Sequence, residues 1–139
     1  MERIFLGILI ILFLFACSGP KKAVTVTHID SDTIAADSVE YDLETFDNKF
    51  EVWYEMHKSP SMFRSKEYYE GWNRRYVTSW NINAISGKNN FFFEPIIGYD
   101  PNTDYGFELN HELFHYFQYV EHVLKIEIIP GGGPRTVNY

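Results

Sequence analysis

The chain has a single cysteine, Cys17, in 139 residues. That rules out an intrachain disulfide, a zinc site built from several thiolates, and a cysteine nucleophile if Cys17 has another job. It has no basic excess either: 12 Lys and Arg against 19 Asp and Glu give a net charge of −7. Such a balance argues against recognising nucleic acid or anionic headgroups through a positive patch. No apolar run reaches the ~20 residues that a membrane-spanning helix needs, and no internal repeat is evident. The length suits one modest core rather than two.

What the chain does have begins at its start. Met1–Arg3 is a short polar opening, and Ile4–Phe15 is almost unbroken Ile, Leu and Phe. A run of this kind reads as the apolar region of a secretory signal. Leu14-Phe15-Ala16-Cys17 resembles the lipobox of bacterial lipoproteins. The resemblance implies a signal peptide over residues 1–16, cleavage before Cys17, and acyl chains on Cys17 that hold the protein to a membrane. Ser18 after the cysteine fits retention in the outer membrane, so the expected location is the cell envelope.

Residues 17–38 are rich in Ser, Thr, Asp and Lys and read as a flexible linker behind the lipidated cysteine. Val24-Thr25-Val26-Thr27 alternates within it and could pair as an edge strand. A globular domain is expected over residues 39–129. Pro130-Gly131-Gly132-Gly133-Pro134 then opens a Gly/Pro-rich tail over 130–139. Inside the domain the hydrophobic period switches repeatedly. Val39, Tyr41 and Leu43 alternate as a strand, Asp47 caps a short helix carrying Phe50, Trp53 and Tyr54, and Ser65 caps a longer one carrying Tyr69, Trp72, Tyr76 and Trp80. Phe91–Ile97 reads as an aromatic strand with Pro95 at an edge or bulge, Asp104–Glu121 as a third helix, and Ile126 and Ile128 as a last strand. The order β-α-α-β-α-β predicts a small α/β or α+β domain, a three-stranded sheet covered by about three helices.

One motif has the pattern of an enzyme. His111-Glu112-Leu113-Phe114-His115 matches H-E-x-x-H, which on a helix places two imidazoles on one face for Zn²⁺ with the glutamate as general base. At 100° per residue, however, Leu109, Leu113, Tyr116, Phe117, Val120 and Leu124 form the apolar stripe. His111, His115, Gln118 and His122 fall opposite, beside Lys125, so the histidines are expected on a polar, solvated face. A third ligand is lacking. Gln118 stands where the extended pattern turns on glycine, and His122 lies about 16 Å from His111 along the axis. Glu121 points to a different face, and no spacing requires Asp100, Asp104 or His28 as a ligand. The sequence therefore favours no cofactor, with zinc at His111 and His115 and Glu112 as base the alternative.

Two further features are weaker. Asp100-Pro101-Asn102-Thr103-Asp104-Tyr105-Gly106 starts like a calcium loop, but the glycine comes one residue late and the twelfth position is His111 rather than a glutamate. A turn and helix cap account for the same residues. Trp72 and Trp80, with Asp100 and Asp104, are possible binding residues, the tryptophans stacking on a glycan or a partner protein. At helical spacing in so small a domain such aromatics are more often core.

Trp72-Asn73-Arg74-Arg75-Tyr76, Trp80-Asn81, Tyr99-Asp100-Pro101, Asp104-Tyr105-Gly106, Glu108-Leu109-Asn110 and Tyr116-Phe117 together resemble an uncharacterised family of small Bacteroidota lipoproteins. The resemblance spans about Val39–Ile128 and the lipobox, and it implies a location and a lineage rather than an activity. The positions of His111 and His115 are commonly aromatic or amide residues there, so metal chemistry at this pair would be particular to this chain. The sequence thus points to a lipid-anchored envelope protein with a non-catalytic binding or structural domain. Its expected partners are the membrane, through the anchor, and an envelope protein or glycan, with no nucleic acid. The alternative is a zinc-dependent, peptidase-like hydrolase.

Overall fold

Asp47 and Ser65 each start a helix. The computed structural model describes residues 24–29, 40–45, 47–89, 92–93 and 96–135. The signal, the lipobox, Cys17 and residues 136–139 lie outside them. The Asp47 carboxylate accepts the Lys49 N–H at 3.1 Å and opens α1, Asn48–His57. Ser65 Oγ accepts the Tyr68 N–H at 3.3 Å and opens α2, Lys66–Ser86. Gly87 closes α2 with φ of 70°, a left-handed conformation that glycine adopts without a Cβ penalty. Pro60–Met62 forms a single 3-10 turn between the two helices. The third helix, α3, is Gly106–His122, and Asp104 Oδ1 accepts the Gly106 N–H at 2.9 Å just before it.

Among the described residues the architecture is mixed, with these three helices beside one short strand pair. β1, Val24–Ile29, runs antiparallel to β2, Glu40–Thr45, with Val26 opposite Leu43. Part of the stretch read as linker is therefore paired, in the way its alternation allowed. The expected three-stranded sheet is not present among the described residues: of the stretch read as 91–97 only 92–93 and 96–97 are described and none of these is in a strand, and Ile126–Ile128 is not in a strand either. Side chains take the place of strand partners there. Asn81 bonds both the N–H and the C=O of Ile97, at 2.9 and 3.0 Å. Asn83 donates to the Ile128 carbonyl at 3.0 Å, and Glu121 accepts the Ile128 and Ile129 N–H groups at 3.2 and 3.0 Å. Backbone groups satisfied in this way need no ladder.

The core forms around α3, which packs on α1, α2 and β2. Phe50, Tyr69, Tyr76, Trp80, Leu113, Phe114 and Phe117 are fully or almost fully buried. The burial of Trp80 and the half-burial of Trp72 leave no exposed pair of tryptophans, which corrects the reading of these two as a stacking platform. Among the described residues no helix is long and apolar enough to cross a membrane.

Candidate functional site

Every residue of α3 from Leu109 to Glu121 is buried except Glu112. This corrects the expectation that His111 and His115 face water. The apolar stripe is real, but α1 and the Pro60–Met62 turn cover the opposite face as well. His111 is 2% exposed and His115 6%. Aromatic rings enclose them: Phe63 lies 4.5 Å and Tyr69 5.1 Å from the His111 ring, and the His111 and His115 rings are 4.2 Å apart.

Each imidazole is anchored through Nδ1. His115 Nδ1–H donates to the His111 carbonyl at 2.8 Å, one turn back along α3. At the end of α1, His57 repeats that geometry, donating from Nδ1 to the Trp53 carbonyl at 2.6 Å while its ring stacks on Trp53. A carbonyl can only accept, so both rings carry a proton on Nδ1, and in the neutral His115 ring the lone pair is on Nε2. His111 Nδ1 pairs with the Tyr54 hydroxyl at 2.8 Å, linking α3 to α1 across the packed interface.

Burial, with smaller contributions from His115 and Lys58, pushes the His111 pKa down to about 3. Burial also lowers His115, against the backbone hydrogen bond that favours its charged form. Tyr54 is raised well above the usual phenol range, first by burial and then by the Glu112 charge. His111, His115 and Tyr54 are therefore neutral at physiological pH.

His57, His111 and His115 line one cavity of about 10 Å³ with Ser59, Met62, Phe63 and Tyr69. That is room for a species the size of one water. Glu112 is half-buried and does not line it. Among the described residues no three His, Cys, Asp or Glu side chains are grouped to hold a metal ion. The sequence pattern brought His111 and His115 together correctly. It missed Met62 and His57, whose approach depends on how α1 and the 3-10 turn fold back; His57, four residues after Trp53, was the available signal.

The other sequence candidates lie elsewhere. Asp100 Oδ1 accepts the Asn102 N–H at 2.9 Å in an exposed turn, as a turn-forming aspartate does. Asp104 caps the approach to α3 and pairs with Lys66 at 2.7 Å. At the far end of α3, Glu121 is 8% exposed and accepts from Tyr76 Oη–H at 2.9 Å and the Gly133 N–H at 2.8 Å, besides Ile128 and Ile129. Gln118 Nε2 donates to Tyr76 Oη at 3.0 Å. Gly133 is docked so closely that a Cβ there would collide with the Tyr76 hydroxyl, so the Gly-rich segment is held against the core at this point.

Comparisons with known proteins bring one finding. No curated protein and no solved structure matches the chain. Residues 4–130 match the model of a family of unknown function, DUF6146, and with most of its length aligned the chain belongs to that family.

Proposed function

We propose that this is a lipid-anchored protein of the bacterial cell envelope, held at the outer membrane through Cys17, whose domain works by binding rather than by catalysis. The observation that carries the second half is the placement of H-E-x-x-H. Its histidines pack inside the core around a cavity of about 10 Å³ that would not admit a peptide, and Glu112 lies outside that lining. A zinc hydrolase needs an open coordination position facing a substrate cleft. The first half rests on Ile4–Phe15 and Leu14-Phe15-Ala16-Cys17. Ile82 and Ile85, 59% and 77% exposed on α2, support a protein partner rather than a stacked glycan.

Acylation is the direct test. Cells fed a tagged fatty acid should label the wild-type chain, and Cys17→Ala should abolish the label. Persistent labelling of Cys17→Ala, or an unlabelled wild type, would sink the anchor. An encoded protease activity that depends on Glu112 in the purified chain would sink the non-catalytic reading.

A further inference from the structure

We propose that His111, His115 and the thioether of Met62 form a binding site for a soft monovalent cation of the copper(I) class. The inference deepens the binding reading above and rests on it. Three observations converge. First, His111 and His115 stand one turn apart with their rings 4.2 Å from each other. Each is fixed through Nδ1, to the Tyr54 hydroxyl or to a backbone carbonyl. Anchoring one ring nitrogen to an oxygen is how proteins orient a metal-ligating histidine and direct its other nitrogen at the ion. With the Tyr54 oxygen accepting from Nδ1–H, His111 presents Nε2 just as His115 does.

Second, the cavity these rings line also takes in Met62, and no carboxylate lines it. Imidazole and thioether are neutral donors, and thioether selects copper(I) over harder ions. The cost of burying an ion grows as the square of its charge, so a dication among neutral ligands costs about four times what a monocation does. Calcium would need carboxylate oxygens that are missing from the lining, and zinc a third nitrogen, oxygen or thiolate ligand grouped with the two histidines, which the described residues do not supply. Third, the cavity is sized for one small species, and Met62, 43% exposed, stands at its edge and gives an ion a way in from solvent. His57 lines the same cavity from α1, but the three histidines do not form a group that could hold a metal ion.

Silver(I) is a redox-inert probe with the same ligand preference. The experiment uses the full chain in detergent with Cys17→Ser, which removes the only thiol. Titration followed by calorimetry should find one silver ion per chain at micromolar affinity or tighter, with zinc(II) at least tenfold weaker. Met62→Leu should weaken silver at least tenfold. It changes an exposed side chain, so the fold should survive, with an unchanged near-ultraviolet circular dichroism spectrum as the control. His115→Phe should abolish binding, and Tyr54→Phe, a positioning change, should weaken it while leaving one site. No silver binding, silver binding indifferent to both Met62→Leu and His115→Phe, or zinc binding tighter than silver would each overturn the proposal. Fatty-acid labelling at Cys17 and activity dependent on Glu112 are separate readouts, so failure here is distinguishable from failure of the parent reading.

Discussion

The two ends of α3 bury polar side chains in opposite ways. At the C-terminal end Glu121 is a carboxylate surrounded by donors, Tyr76 Oη–H and the N–H groups of Ile128, Ile129 and Gly133. Toward the N-terminal end His111 and His115 each have one ring nitrogen bonded and share a small void. A charge with all its lone pairs engaged is a structural clamp: it fixes backbone that would otherwise need a strand. Imidazoles with only one nitrogen engaged, held rigid around a void, retain chemical capacity. Hydrogen-bond completeness, more than burial, separates the clamp from the candidate site.

Removing the clamp should have the largest effect. Glu121→Ala strands buried donors from three chain segments and should cost about 3–5 kcal/mol of stability, read as a lower urea midpoint. A loss below about 1 kcal/mol would show that the carboxylate holds little. The histidine end should respond to pH instead. His111 has its pKa depressed from 6.5 to about 3, and His115 is lowered as well, so between those limits the unfolded chain binds protons that the folded one does not. Stability should therefore be full above pH 6.5 and fall as the medium is acidified. In metal-free protein the drop by pH 5 should be about 2 kcal/mol from His111 alone, with His115 adding in the same direction. His111→Phe should flatten the slope by about one proton in denaturation midpoints measured from pH 7 to 5; an unchanged slope would mean that this ring does not stay neutral. The smallest effect belongs to Lys125, which follows α3 with φ of 58°. A left-handed backbone disfavours side chains with a Cβ, so Lys125→Gly should raise stability by about 0.5–1 kcal/mol in the same assay. A decrease instead would mean that the lysine side chain itself supports the clamp.

Local signals were the most legible. The caps at Asp47 and Ser65 depend on neighbouring residues only, and α1 and α2 begin by them. Aromatic spacing predicted the buried faces of α1 and α2, with Tyr69, Tyr76 and Trp80 in the core. The errors came from distance. A stripe of Leu109, Leu113 and Phe117 identifies one buried face of α3, but no periodicity tells whether another element covers the opposite face; α1 and the turn after it do. Ile126 and Ile128 suggested a strand because they alternate with the exposed Lys125 and Glu127, but the Ile126 N–H bonds the Val120 carbonyl and the Ile128 backbone finds Asn83 and Glu121 instead of a neighbour strand. The candidate site was legible as a pair of histidines and illegible as a cavity, since Met62 reaches it only through the tertiary fold.

The pairing of β1 with β2 has a consequence for geometry at the membrane. Composition alone suggests a tether of about twenty residues, with a root-mean-square span of roughly 25 Å. Because ordered pairing already begins at Val24, an acylated Cys17 would be separated from the domain by far less chain. Even fully extended, that remainder covers at most roughly 25 Å, and as a coil only about 15 Å. The domain would then ride close to the headgroups rather than roam above them. Its working partners would be confined to a layer about as thick as the domain itself.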